Sequence, residues 1–194
     1  MTSELKYIMV EEIFMYCNFA ICGFEDFTDL ISPNTFDAKH KGIWYQLQTG
    51  LTNAAVVSSY IFSDKRSAKK RSNYLQRILM LKEDSPLKNK AARNYLTHID
   101  EKFDYCINNS TSFTGIIETV TNSRESFSKI DKPEYFIRRA VIKDEMIFVY
   151  QVGALKKEFR LLPIIDELKF IYKGCSRYLK KIDKKNAIRY LISK

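Results

Sequence analysis

Apolar residues at helical spacing run through both ends of this chain, and they constrain its fold more than any other feature. Near the start, Leu5, Ile8, Met9, Ile13, Tyr16, Phe19 and Ala20 recur with the period of an α-helix, which predicts a helix over 4–21. Near the end, Ile164, Leu168, Ile171, Tyr172, Cys175, Leu179 and Ile182 form an amphipathic stripe from Pro163 onward. Residues 184–194 either extend that helix or form a short last one. Stripes of this kind must be buried against one another, so the chain is expected to build a helical bundle. Between them, Ile43, Leu47, Leu51, Ala54, Ser58 and Ile61 predict a second helix over 36–62. Ser67 to Leu81 predicts a third, with Tyr74, Leu75, Ile78 and Leu79 inward. Gly23 to Asn34 reads as a loop, with Pro33-Asn34 its strongest breaker. Asp84-Ser85-Pro86 is a helix start, a capping residue followed by proline at the first helical position, and it opens a fourth helix over 86–107.

The pattern changes after residue 107. Residues 108–115 are polar and read as a turn, and Phe113 to Phe127 reads as a short helix or irregular chain. Tyr135–Ile142 and Met146–Gln151 are rich in β-branched and aromatic residues and flank Lys143-Asp144-Glu145, a hairpin signal. Lys157 to Leu162 suggests a third short strand. The expected fold is therefore mainly α: an up-and-down helical bundle with a small β-meander at about 135–162 inserted before the C-terminal helix. Repeats, low-complexity segments and linkers are absent from the sequence, so residues 1–194 are expected to form one domain, ending in a basic helix or tail over 163–194.

Hydrophobic residues make up 45% of the chain and charged residues 28%, the balance of a protein with a real core rather than a disordered one. The first residues lack a basic region leading into an apolar run, which predicts no signal peptide. Charges interrupt the apolar stretches, which predicts no transmembrane helix and no membrane partner. Cys17, Cys22, Cys106 and Cys175 are scattered and complete no zinc set, so reduced, mostly buried thiols in a cytoplasmic protein are expected. The formal net charge is +9, and it is uneven. Lys173 to Lys194 holds eight Lys or Arg against the single acid Asp183, and Lys65 to Arg71 is a second basic cluster. Basic patches favour nucleic acid, acidic proteins or anionic surfaces, and equally serve as plain solvated faces. Lys69, Lys70 and Arg71, with Lys180, Lys181, Lys184 and Lys185, are the candidate nucleic-acid contacts.

One of the chain's two histidines, His98, lies five residues after Arg93. On a helix over 90–106, Ala92, Leu96, Ile99 and Phe103 gather on one side. Asn94, His98, Glu101 and Tyr105 form a stripe roughly opposite. Arg93 stands on the flank, about 140° around from His98. Histidine exchanges protons near neutral pH and arginine clamps phosphates. Arg93 would bind a phosphate, His98 would move a proton, and Asn94 would orient one of them, with Glu101 and Tyr105 in support. The same stripe also fits a solvated surface, or a polar interface with another helix or subunit.

Arg93-Asn94-x3-His98 resembles the Arg-x4–6-His motif of the HEPN superfamily, in which a polar residue often follows the arginine. Arg71-x3-Leu75-x-Arg77-Ile78-Leu79, then Asp84-Ser85-Pro86-Leu87, then Asp100-Glu101 after the histidine look like a bacterial branch of that family. Trp44 and residues 135–182 are similar to that branch's Trp-containing upstream helix and its β segment with a terminal helix. Thr97 departs from the acidic residue expected before the histidine. The resemblance spans residues 5–182, with its specific matches at about 71–104. It implies a homodimer through the 86–107 helix and a composite site built by two protomers. It also implies metal-independent RNA cleavage, by attack of a ribose 2′-hydroxyl on the adjacent phosphate, in a toxin or phage-defence effector. An antitoxin or defence-system protein is an implied partner, and no cofactor or metal is implied. Other members of the family act without cleavage, as modules that bind RNA, nucleotides or proteins.

Overall fold

The computed structural model describes residues 2–32, 41–63, 65–98, 101, 104, 108 and 113–192, with 183–192 described by backbone only. The fold is mainly helical with a small four-stranded sheet. Helix α1 (Ser3–Ile31) starts at Thr2, whose hydroxyl accepts a hydrogen bond from the Leu5 amide. It does not stop near residue 21, and 23–31 is helix rather than loop. Phe24, Phe27 and Ile31 continue the apolar stripe by another two turns and are fully buried. Gly23 is a packing residue there. A Cβ on it would come within 2.8 Å of the Gly50 amide nitrogen on α2 (Lys41–Ile61), and one on Gly50 would meet the Phe24 ring at 2.8 Å. Two helices cross closely because neither carries a side chain at the contact.

The C-terminal stripe forms one unbroken helix, α6 (Leu162–Ile192), on the other side of α1. Phe14 of α1 stacks on Tyr172 of α6 with ring centroids 4.4 Å apart. Buried Cys17 and Cys175 come from the same two helices; burial, with Cys175 close by, raises the Cys17 thiol, and burial pushes Cys175 up to about 12. Cys22 is exposed. By length and composition α1 is apolar enough to cross a membrane, contrary to the expectation that charges interrupt every such run. In this fold its apolar stripe supplies the centre of the core.

Helix α3 (Lys69–Ile78), preceded by a 3-10 turn at Arg66–Ala68, closes the end of α2. The Arg71 guanidinium donates to the Ser59 and Tyr60 carbonyls, and the Gln76 amide donates to Ile61. Carbonyls that α2 leaves without helical partners are thereby satisfied. Leu75 and Leu79 are buried as expected, whereas Tyr74 and Ile78 are half-buried. The Tyr74 hydroxyl lies 2.7 Å from that of Tyr178 on α6.

The predicted 86–107 helix is broken. Pro86–Lys88 makes a 3-10 turn, Asn89 is extended, α4 spans Ala91–Thr97, and residues 101 and 104 are again helical as expected. The Asn89 side chain accepts from the Ala91 amide and so starts the helix afresh, competing with a continuous backbone ladder. His98 caps the C-terminal end of α4.

Strands β2 (Tyr135–Ile142), β3 (Ile147–Val152) and β4 (Leu155–Arg160) form the expected antiparallel meander. A further strand, β1 (Gly115–Thr121), pairs parallel with β2, and α5 (Arg124–Ile130) makes the crossover. The segment read as short helix or irregular thus holds both. A parallel neighbour needs such a crossover, and Ile116, Ile117, Thr119, Val120 and Thr121 are typical strand residues. One sheet face, with Val120, Val141, Phe148, Tyr150 and Phe159, joins the helical core. The other, with Ile117, Ile137, Ala140 and Val149, is covered by Phe127 of α5.

Candidate functional site

Helix α4 is held on the sheet by Tyr95. Its ring lies 4.5 Å from that of Tyr150 on β3, and its hydroxyl donates to the Arg138 carbonyl on β2. Ala92 and Leu96 are buried beside it. This anchoring turns Asn94 and His98 outward, as helical rotation requires. A cleft of about 520 Å³ opens between α4 and the strands. Asn94, His98 and Glu101 line one wall, and Lys157 and Glu158 of β4 line the other. Tyr95, Tyr150 and Phe159 supply its apolar lining. Burial raises both phenols, although Arg138 and Arg139 pull Tyr95 the other way. Neither tyrosine ionises at neutral pH, so they shape the cleft rather than titrate in it.

His98 Nδ1 lies 2.9 Å from Glu101 Oε1, and the two side chains are 54% and 61% exposed. An ionised carboxylate only accepts hydrogen bonds, so the ring nitrogen facing it carries the proton. In the neutral imidazole this leaves Nε2 with a free lone pair, the form suited to take a proton from a substrate.

Arg93 is half-buried on the flank. Its Nη1 donates to Asn94 Oδ1 at 3.2 Å, but its guanidinium lines a separate, narrow recess against Leu51, Ala54 and Ile164. Within one chain, therefore, Asn94, His98 and Glu101 share a cleft, and Arg93 reaches it only through Asn94. Tyr105 lies outside the described residues.

The candidate nucleic-acid residues also separate. Lys69 and Lys70 are exposed at the start of α3, whereas Arg71 is committed to the α2 carbonyls and lies over the Tyr60 ring. Lys180 and Lys181 are exposed on α6, and the side chains of Lys184 and Lys185 lie outside those described. Sequence reading missed Lys157 and Glu158, which reach the cleft only because β4 pairs with β3. Lys88 and Lys90, two and four residues after Pro86, line a separate concavity with Arg66 and Lys69. Among the described residues, no group of three or more His, Cys, Asp or Glu side chains is close enough to hold a metal ion. Compared with protein-family models, curated proteins and solved structures, the chain matches none of them.

Proposed function

We propose that this protein is a metal-independent RNA endonuclease of HEPN type, acting as a homodimer in a toxin or phage-defence role. The observation that carries the reading is the His98–Glu101 hydrogen bond at the rim of a cleft that also holds Asn94, with Arg93 bonded to Asn94. In the proposed reaction, His98 Nε2 takes the proton of a ribose 2′-hydroxyl. The 2′-oxygen forms a new bond to phosphorus as the bond to the 5′-oxygen breaks. That leaving oxygen takes up a proton, and a 2′,3′-cyclic phosphate remains. Arginine stabilises the charge that gathers on the phosphoryl oxygens. Because Arg93 and His98 occupy different recesses of one chain, the proposed site needs a second copy, whose Arg93 and His98 supply the charge and the second proton transfer across a two-fold axis.

The test is cleavage of single-stranded RNA in the presence of EDTA. Wild-type protein is expected to leave cyclic phosphate ends, and His98→Ala and Arg93→Ala to abolish them. Cleavage by both variants at the wild-type rate overturns the proposal. The separation of Arg93 from the His98 cleft also favours a second reading, a HEPN-like module that binds RNA, a nucleotide or a protein without cutting. Its mark is tight binding by a wild-type protein that yields no cleavage product.

A further inference from the structure

A second concavity, of about 490 Å³, adjoins the Asn89–Lys90 turn, with Lys90 lining it and Asn89 lining the His98 cleft. Arg66 and Lys69 line it from the start of α3, and Lys88 and Lys90 from the turn before α4. Asn73 and Gln76 add polar groups, and no carboxylate lines it among the described residues. Lys88 is held in place, donating to the Glu83 carbonyl and lying 5.5 Å above the Phe62 ring. Lys90 lies 3.4 Å from the Ser59 hydroxyl. Among the described residues none of the four cations is in an ion pair, although Arg124, Lys129, Arg138, Arg139, Lys156 and Lys169 all are. The start of α3 adds the partial positive charge of a helix N-terminus. Four converging cations in a polar hollow match a compact, multiply charged oxyanion better than an apolar segment.

We propose that this recess holds a backbone phosphate of a single-stranded RNA whose neighbouring nucleotides enter the His98 cleft. Lys90 stands just before α4 and His98 just after it, about 12 Å apart by helical rise. That span corresponds to about three to four stacked nucleotides. A strand anchored at Lys90 needs about that many nucleotides to reach the histidine. The choice of RNA rests on the nuclease reading above; the choice of phosphate rests on the recess itself.

The test measures binding of a short labelled single-stranded RNA by fluorescence anisotropy at several salt concentrations. It uses His98→Ala protein, so that the strand stays intact. Arg66→Gln with Lys69→Gln removes two exposed charges and is expected to weaken binding several-fold. It should also reduce the salt slope by about 0.7, the share of one phosphate contact on a single strand. Lys129→Gln with Lys132→Gln, an equal charge loss beside the sheet, is expected to change little. Wild-type affinity and slope in the first pair, or an equal loss in the second, overturns the inference. Tripolyphosphate is expected to displace the RNA better than polyglutamate of equal charge. If polyglutamate is the better competitor, the recess is a protein-binding surface and the inference fails. If the first pair loses tripolyphosphate binding but keeps RNA affinity, the recess takes free phosphate and the strand assignment fails. A wild-type protein that never cuts RNA, combined with the expected binding loss, sinks the nuclease reading and keeps the recess; cleavage without that loss does the reverse.

Discussion

Around the sheet, Arg124, Arg138 and Arg139 all meet carboxylates. Arg124 holds two carboxylates, Glu145 and Glu158, and Glu118 holds two arginines, Arg138 and Arg139. The bulge between Ile117 and Glu118 makes the second arrangement possible, because one residue on β1 then faces two consecutive residues on β2. Arg139 also lies 4.5 Å above the ring of Trp44, which ties the sheet to α2. Around the start of α3, Arg66, Lys69, Lys88 and Lys90 converge without a carboxylate among the described residues. Both regions belong to a chain of net charge +9, but among the described residues the four cations of the second line a hollow that no carboxylate lines. A count of basic residues therefore overstates the binding surface at the sheet and understates the recess before α4.

The contrast predicts a division of effects. Changes beside the His98 cleft and the recess should alter activity and binding, and changes at the sheet should alter stability. The largest effect is expected at His98. Replacing it with alanine should lower the RNA cleavage rate by about 100- to 10,000-fold, the range of a lost general base, with thermal unfolding nearly unchanged. A drop in melting temperature that accounts for the lost activity would break the division.

Next comes Glu118→Ala. It strips the carboxylate from two arginines whose side chains are 30% and 16% exposed. A loss of about 2 kcal/mol is expected, less than for a fully buried pair because water reaches the site. In thermal unfolding followed by circular dichroism, that is a melting temperature lower by about 4–8 °C. RNA affinity per folded molecule should hold. Smaller in free energy is the several-fold binding loss of Arg66→Gln with Lys69→Gln, with no change in melting temperature.

The smallest effect is expected at Arg124→Gln, and it depends on pH. Hydrogen bonds from Arg124 hold the Glu145 and Glu158 carboxyls below their ordinary range. The stability they contribute is present above about pH 4.3 and is lost as pH falls through the lowered values. The gap in melting temperature between wild type and variant should therefore be small at neutral pH and close on acidification. A gap that widens in acid contradicts the pairing.

Much of the helical frame was legible from periodicity, because a stripe such as Ile164 to Ile182 needs only local repetition to be read. The meander was legible for the same reason, from Tyr135–Ile142 and the hairpin that follows. The far end of α1 was hidden by Gly23, which locally signals a turn and is in fact required by Gly50, twenty-seven residues away. Strand β1 was hidden because its partner lies beyond a crossover helix. The break before α4 was hidden by a side-chain contact, Asn89 to the Ala91 amide, that outweighs the Pro86 start signal. At the site, the outward placement of Asn94 and His98 and the offset of Arg93 followed from rotation about one helix. Lys157 and Glu158 could not be foreseen, since only the pairing of β4 with β3 brings them to the cleft.

By itself, then, the sequence determined the helical stripes, the change of pattern after residue 107, the excess of positive charge, and a histidine on the polar side of its helix. These depend on residues within a few positions of one another. Tertiary structure decided which helices touch, which arginines meet carboxylates, and which cations gather around a hollow. Those outcomes depend on groups tens of residues apart, and an ion pair or a close helix crossing exists only where packing brings both partners within a few ångströms.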